Sequence, residues 1–165
     1  MSRPRTRQLR WWERALERIA ASPPGGWFFV KIGNRVDPAL LKWSRGRFSV
    51  AVGQPVLLLT VKGAKSGVPR ETPLLYATDG DDLVLVASNA GNAKHPAWYH
   101  NVTANPEVEI LAPRGRSGRY VGREAEGDER ARLWDAVNDL YAGYDVYQHR
   151  TNGRRIPVMV FSRVG

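Results

Sequence analysis

Residues 56–76 read VLLLTVKGAKSGVPRETPLLY and contain two strand-like runs joined by a short turn. The first run, Val56–Lys62, is apolar, and a partner strand is predicted over Arg70–Thr78. Two glycines bound the turn, and Lys65 and Arg70 place two cations on it. Because such a turn exposes backbone N–H groups, the stretch predicts an anion-binding site. The alternative is a solvated hairpin turn with two surface cations, and the spacing is not that of a P-loop.

The chain after this hairpin alternates between further strands and two helices. Asp79-Gly-Asp-Asp predicts a tight hairpin turn. The helix that ends at Leu140 is predicted to share one face among Ala131, Trp134, Val137, Asn138 and Tyr141. Strands joined by hairpins favour an antiparallel sheet or a small barrel over a doubly wound fold. The predicted elements are strands over Leu83–Ser88, Glu107–Leu111, Gly118–Glu126 and Ile156–Phe161, a short helix over Pro96–Ala104, and a helix that Asp128 caps and that ends at Leu140.

Residues 1–45 are predicted to form a basic arm, followed by the main domain over residues 46–165. Residues 1–47 hold 11 Lys and Arg against 3 Asp and Glu, a net charge of +8, whereas the remaining residues hold 14 against 13, a net charge of +1. Leu9–Ala21 is predicted as an amphipathic helix and Asp37–Trp43 as a short helix. The amphipathic helix either covers the core or lies on an anionic membrane surface.

The composition excludes several classes of function. The chain has 165 residues and no cysteine, which excludes disulfides, thiolate metal sites and a Cys nucleophile. The net charge of +9 belongs to the arm, so the nearly neutral domain argues against nucleic acid as a partner. Its apolar runs are too short to span a membrane, and no secretory signal follows the basic start. A cytoplasmic protein is expected, with the arm at the inner face of the membrane as the peripheral alternative.

Residues 88–101 read SNAGNAKHPAWYHN and place a helix start after a loop of small residues. Such a helix start can hold an anion or a ring carbonyl. His95 and His100 lack the further ligands of a zinc site, so no metal is expected. The alternative interpretation places Trp98 in the core and His100 on the surface.

Residues 141–151 read YAGYDVYQHRT, with a tyrosine at every third position. Tyrosine offers an apolar wall and a hydroxyl donor, which suits a flat ring, although a packing stripe explains the spacing equally. The chain shows neither a nucleophile elbow nor an acid–base pair. An anion turn and aromatic walls without catalytic machinery indicate an enzyme whose cofactor supplies the chemistry.

Three stretches together resemble the deazaflavin (coenzyme F420)-dependent nitroreductase family of actinobacteria. They are LLLTVKGAKSGVPRETPLLY, LVLVASNAGNAKHPAWYHNVTANPEVEI and the Tyr-x-x-Tyr-x-x-Tyr…Thr-x-x-x-x-Ile-Pro-Val tail, and the resemblance covers about residues 40–163. It implies an α+β, mainly β fold: a split β-barrel of about six antiparallel strands, related to the FMN-binding split barrels, with peripheral helices. It also implies hydride transfer from reduced F420 to a quinone, a nitroaromatic compound or an enone or other activated alkene.

The resemblance also implies the residues of the site. Lys65 and Arg70 hold the phosphate and acidic tail of F420, Tyr144 faces the deazaflavin ring and the substrate between Tyr141 and Tyr147, and Ser88 lies near the reacting centre. Some family members have Lys at the position of Asn89 and others have Arg at the position of Ala64. The two changes either weaken binding of the acidic tail or are compensated by Lys94. The cofactor groove is lined by Gly63, Ala64, Lys65, Ser66, Arg70, Glu71, Thr72, Pro73, Leu74, Leu75, Val86, Ala87, Ser88, Asn89, Ala97, Trp98, Tyr99, His100, Asn101 and Tyr144.

Two other functions remain open. One is an oxidoreductase of the same fold that binds flavin mononucleotide. The other is a non-catalytic protein that binds a ligand or a membrane surface, which the basic arm favours. The oligomeric state, monomer or homodimer, is left open as well.

Overall fold

The computed structural model describes residues 38–39, 41–44 and 54–165. Within residues 54–165 the chain forms seven strands and three α-helices, with one turn of 3-10 helix at Asn89–Gly91. The predicted helix Leu9–Ala21 and most of the arm lie outside the described residues. The strands are Val56–Lys62 (β1), Pro69–Leu75 (β2), Ala77–Asp79 (β3), Asp82–Val86 (β4), Glu107–Leu111 (β5), Gly118–Glu124 (β6) and Val158–Arg163 (β7), and the helices are Ala97–Ala104 (α1), Gly127–Leu140 (α2) and Gly143–Arg150 (α3).

All seven strands belong to one sheet in the order β2-β1-β5-β6-β7-β4-β3, and all neighbours are antiparallel. The edge strands β2 and β3 lie at opposite ends of this order, yet Tyr76 alone separates them in the chain. The sheet must therefore curl until its edges meet, which confirms the antiparallel split barrel.

The prediction of one strand over Arg70–Thr78 is wrong, because the structure has two strands there, β2 and β3. The sheet therefore has seven strands, whereas about six were expected. The chain breaks at Tyr76, where its partner changes from β1 to β4. The Tyr76 N–H donates to the Pro55 carbonyl at 3.1 Å, and its side chain is buried in the barrel core. The predicted hairpin at residues 79–82 is confirmed, because Asp79 pairs with Asp82.

The burial pattern explains the apolar runs of the sequence. Leu57 and Leu59 point into the barrel, whereas Val56 and Leu58 pack outside it against Leu41. Strands β4 and β7 are likewise covered on both faces, and strands buried on both faces read as continuous apolar runs. Strands β5 and β6 face water on one side and alternate instead.

The helices cover the barrel. Helix α1 closes one end through Trp98 and Val102, and α2 and α3 cover the outer face of β4 and β7. The predicted cap of α2 is wrong: the N-cap position is Glu126, without a side-chain cap, and Asp128 lies in the first turn, where its charge favours the helix dipole. The predicted face is confirmed in part: Val137 is buried and Trp134 and Tyr141 pack against the same cluster, whereas Ala131 is exposed and the buried Leu133 was not predicted.

The start of the described chain supports part of the predicted short helix Asp37–Trp43. Residues 38–39 and 41–43 are helical. Leu41 is fully buried, and Lys42 Nζ lies 2.6 Å from Glu71 Oε1 on β2. The division of the chain at residue 45 stays a prediction. Among the described residues, no helix is long and apolar enough to cross a membrane.

Candidate cofactor site

One end of the barrel collects nearly all the segments that the sequence singles out. Strands β1, β4 and β6 run toward this end, and β2, β5 and β7 start from it. The loops at this end are therefore the turn at residues 63–68, the segment at residues 87–106 and the segment at residues 125–157. The opposite end carries the turn at residues 80–81 and the loop at residues 112–117.

The turn between β1 and β2 is closed by its own backbone. Gly63 N–H donates to the Val68 carbonyl at 3.0 Å, and Gly67 N–H donates to the Gly63 carbonyl at 2.9 Å. A Cβ at Gly63 would lie 2.6 Å from Ser66 Oγ, so glycine keeps the turn tight. Within the described chain, the exposed N–H groups of Lys65 and Ser66 have no acceptor.

The two predicted cations, Lys65 on the turn and Arg70 at the start of β2, are exposed and carry no ion pair with the described residues. The three salt bridges there use Lys42, Arg123 and Arg132. Lys65 and Arg70 take part in none of them. The turn thus combines two uncommitted N–H groups with two uncommitted positive charges, which is the chemistry of an anion site.

Helix α1 is joined to this turn by two asparagines. Asn101 Oδ1 accepts the N–H of Ala64 at 3.0 Å. Asn105 Nδ2 donates to the Lys62 carbonyl at 3.1 Å, at the point where β1 ends. These bonds fix the turn against the middle and the C-terminal end of α1, so the predicted residues Ala64 and Asn101 belong to one unit.

The exposed side of α1 carries a cluster of rings. The His95 and Tyr99 ring centroids lie 4.7 Å apart, and His100 meets both edge-on. Tyr99 donates its hydroxyl to Glu124 Oε2 at 2.8 Å, and burial together with this bond raises the pKa of Tyr99. Trp98 lies in the barrel core and His100 is exposed, as the alternative interpretation of this stretch predicted. The described residues contain no group of side chains able to hold a metal ion.

The segment after β4 is a tight loop held by Asn89. Asn89, Ala90 and Gly91 all have positive φ, at 49°, 52° and 78°. Asn89 Nδ2 donates to the Lys94 carbonyl at 2.9 Å, so the asparagine closes the loop. The Lys94 side chain is exposed at the same loop. Val86 and Ala87 just before it are buried.

Arg154 organises this loop, and the sequence did not point to it. Its guanidinium donates to the carbonyls of Ala87, Ser88 and Asn92, at 3.2, 2.8 and 2.8 Å, and Nη1 lies 3.1 Å from His95 Nδ1. More than 50 residues separate Arg154 from each of these partners. No local pattern marks such a residue, since only the pairing of β4 with β7 brings it there.

The three predicted tyrosines form one cluster at the start of α3. The ring centroid of Tyr141 lies 5.2 Å from that of Tyr144 and 6.1 Å from that of Tyr147. The hydroxyls of Tyr141 and Tyr147 are 3.1 Å apart. The helix starts at Gly143, where a Cβ would collide with the Tyr141 ring. A Cβ at Gly91 would lie 3.0 Å from the Tyr147 carbonyl, so the loop after Ser88 packs directly on this cluster.

Tyr144 is the most enclosed member of the cluster. Its side chain is 5% exposed and packs with the residues between α2, α3 and the outer face of the sheet. Burial, with Tyr147 beside it, raises the pKa of Tyr144 far above its ordinary value, so it remains a protonated donor at all ordinary pH values. Its hydroxyl makes no hydrogen bond to a described residue. The burial of the Tyr144 ring agrees with a packing role, while its hydroxyl has no hydrogen-bond partner among the described residues.

The predicted residues of β2 extend away from the turn. Glu71 is committed to Lys42, and the strand then runs from Thr72 toward the opposite end, where Leu75 pairs with Val56. Leu74 packs against the barrel core and Leu75 against the outer cluster around Leu41. These residues adjoin the turn in sequence but are spread along one edge of the barrel.

The chain is similar to several known proteins. Residues 39–163 match the model of the F420H(2)-dependent quinone reductase family. An F420H(2)-dependent quinone reductase of Mycobacterium tuberculosis is 42% identical over 133 residues, which cover 78% of this chain and 89% of the relative.

Two solved structures are similar as well. The structure of an F420-H2 dependent reductase (FDR-A) is 39% identical with a TM-score of 0.58, covering 66% of this chain and 94% of that one. A structure described as a domain-swapped dimer is 34% identical with a TM-score of 0.61, covering 84% of this chain and 99% of that one. Given the family match over three quarters of its length, the chain belongs to the F420H(2)-dependent quinone reductase family.

Proposed function

We propose that this protein transfers a hydride from reduced coenzyme F420 to a quinone, which takes up a proton and becomes a quinol. Family membership supports the reaction and the cofactor. The observation that carries the proposal for the site is the end of the barrel, where the anion turn is joined to α1 by Asn101 and the Ser88 loop packs on α3, which carries Tyr144 and Tyr147.

The residues present fit the cofactor. F420 has a phosphate and an acidic tail, and the turn offers the free N–H groups of Lys65 and Ser66 beside the cations of Lys65 and Arg70. We assign the tail to this turn because hydrogen bonds to charged groups are about twice as strong as neutral ones. The start of α1, fixed to the turn by Asn101, extends the groove toward the Ser88 loop.

Bound F420 supplies the hydride, because its ring has carbon where flavin has N5. For this transfer the chain would have to bring the ring and the acceptor to within about 3–3.5 Å of each other. Tyr144 and Ser88 each keep a hydroxyl without a partner among the described residues. Such donors stabilise the negative charge that develops on a quinone oxygen. Tyr141 and Tyr147 bond to each other and form the wall that keeps Tyr144 in place.

We expect Tyr144→Phe to lower kcat by about 10²-fold, the usual effect of removing one donor to a developing oxyanion, with little change in the Kd of F420. Because the hydroxyl has no partner to lose among the described residues, the melting temperature should stay level. Steady-state oxidation of F420H2, binding of F420 and thermal unfolding measure the three quantities.

Tyr120→Phe is the matched control for this variant. Tyr120 is fully buried at the other end of the barrel and donates its hydroxyl to the Arg116 carbonyl at 2.8 Å. Its substitution should lower the melting temperature and leave kcat unchanged. A normal kcat in Tyr144→Phe would remove Tyr144 from the mechanism and leave it a packing residue.

The acceptor is tested by supplying F420H2 with a menaquinone analogue, a nitroimidazole or a cyclic enone. We expect the quinone to be reduced with the highest kcat/KM. Reduced flavin mononucleotide in place of F420H2 tests the flavin alternative and should support no turnover. Turnover with only the enone or only the nitro compound would support F420 as the cofactor but would contradict a quinone as the acceptor.

We also propose that the basic arm contacts an anionic membrane, where quinones reside. The support is sequence alone: a net charge of +8 over residues 1–47 and the pair Trp11 and Trp12. Deletion of residues 1–20 should abolish sedimentation with phosphatidylserine vesicles and spare the reduction of a water-soluble quinone. Equal sedimentation of the full and shortened chains would contradict this role.

A further inference from the structure

All the nitrogen atoms of the Arg154 guanidinium contact one segment of the site, residues 87–95. The five N–H bonds of the group match five contacts: Nε and Nη2 to the Asn92 carbonyl, Nη2 to the Ser88 carbonyl, and Nη1 to the Ala87 carbonyl and to His95 Nδ1. The distances lie between 2.8 and 3.2 Å. A planar fork of this kind fixes direction as well as distance, which a lysine cannot do.

This geometry decides the state of His95. Arg154 can only donate, so the Nδ1 atom of His95 must accept, and its single proton must be on Nε2. The groups that face His95 are Arg154, the rings of Tyr99 and His100, and Glu124 beyond the Tyr99 hydroxyl. Burial, Arg154 and His100 lower the pKa of His95, and Glu124 opposes them.

The Nε2–H of His95 has no acceptor among the described residues. The ring is stacked beside Tyr99 at the start of α1, next to the loop that carries Ser88. The site therefore presents one fixed N–H donor between the two segments that the proposed function assigns to the cofactor.

We propose that Arg154 is a positioning residue that holds the Ser88 loop and locks His95 as the neutral Nε2–H tautomer, so that His95 donates to an acceptor oxygen of the bound cofactor. The cofactor half of this inference rests on the proposed function. The tautomer half does not, because it concerns the free protein alone.

The tautomer is tested in cofactor-free protein by long-range ¹H–¹⁵N NMR of the histidine rings, with His95→Gln identifying the signals. In the unsubstituted protein we expect the Nε2–H form of His95, persisting below the ordinary histidine pKa of about 6.5. Arg154→Lys keeps the charge but not the fork, so its His95 should become a mixture of tautomers with a higher pKa. Arg155→Ala, an exposed neighbouring cation, is the control and should leave the signals unchanged. The inference would be overturned if His95 were a mixture of tautomers in the unsubstituted protein, or if it remained entirely in the Nε2–H form in Arg154→Lys.

The donor is tested by F420 binding. His95→Gln places an amide N–H near the position of Nε2 and should keep the Kd within about threefold, whereas His95→Leu should raise it about tenfold or more. These two variants remain informative where Arg154 variants fail to fold. Equal binding by His95→Gln and His95→Leu would overturn the cofactor contact. Absence of F420 binding by the unsubstituted protein would overturn the proposed function and this contact together, whereas a locked tautomer would still support the role of Arg154.

Discussion

The double substitution Lys65→Ala/Arg70→Ala should raise the Kd of F420 by about 10²-fold or more. Lys65 lies on the turn between β1 and β2 and Arg70 at the start of β2, and neither has an ion pair in the described chain, so their charge is uncommitted until an anion binds. A hydrogen bond to a charged group contributes about 1.5–3 kcal/mol, and the exposed position puts each residue at the lower end of this range. Fluorescence titration of F420 measures the loss.

Two arginines at the opposite end of the barrel provide a charge-matched control. Arg114→Gly/Arg119→Ala removes the same two charges, and glycine suits the positive φ of 60° at Arg114. This variant should bind F420 normally. Binding by the unsubstituted protein should weaken with salt, and the Lys65→Ala/Arg70→Ala variant should show a flatter salt dependence. Unchanged affinity in that variant would show that the tail of the cofactor lies elsewhere.

Gly91→Ala should lower the free energy of unfolding by about 2–5 kcal/mol. Gly91 has a φ of +78°, which costs a residue with a Cβ about 1–2 kcal/mol. The new Cβ would also lie 3.0 Å from both the Tyr147 carbonyl and the Arg150 Cβ, and overpacking costs about 1–3 kcal/mol more. Because α3 can relieve the contact only by moving away from the Ser88 loop, activity should fall as well. Urea unfolding monitored by tryptophan fluorescence measures the stability.

Gly115→Ala separates the two contributions. Gly115 has a similar φ of +74°, but a Cβ there would meet no atom within 4 Å. This control should show the backbone cost alone and normal activity. If both variants lose the same stability, the packing of the loop against α3 contributes nothing.

Local patterns were enough for most of the barrel. The apolar run of β1, the Asp-Gly hairpin between β3 and β4 and the strand β5 were all predicted within a few residues. The single strand over Arg70–Thr78 failed because its break depends on barrel closure, where the chain changes partner at Tyr76. The prediction for α2 misplaced the N-cap by two residues and omitted Leu133 from the buried face, because packing against the outer face of the sheet decides which side of the helix is buried.

Some features of the candidate site could likewise be predicted from local sequence, and others could not. The anion turn and the tyrosine repeat are short motifs, so their existence could be predicted from sequence, although their roles stay predictions. Arg154, Glu124 and the Asn101 bond to the turn could not, because each joins elements far apart in the chain. Only the strand order brings those elements to one end of the barrel.

Parallel titration of the purified protein with F420 and with flavin mononucleotide, followed by cofactor fluorescence, tests the central claim most directly. We predict saturable binding of F420 and none of flavin mononucleotide. Binding of flavin mononucleotide alone would contradict the account, because the same barrel would then serve a different cofactor.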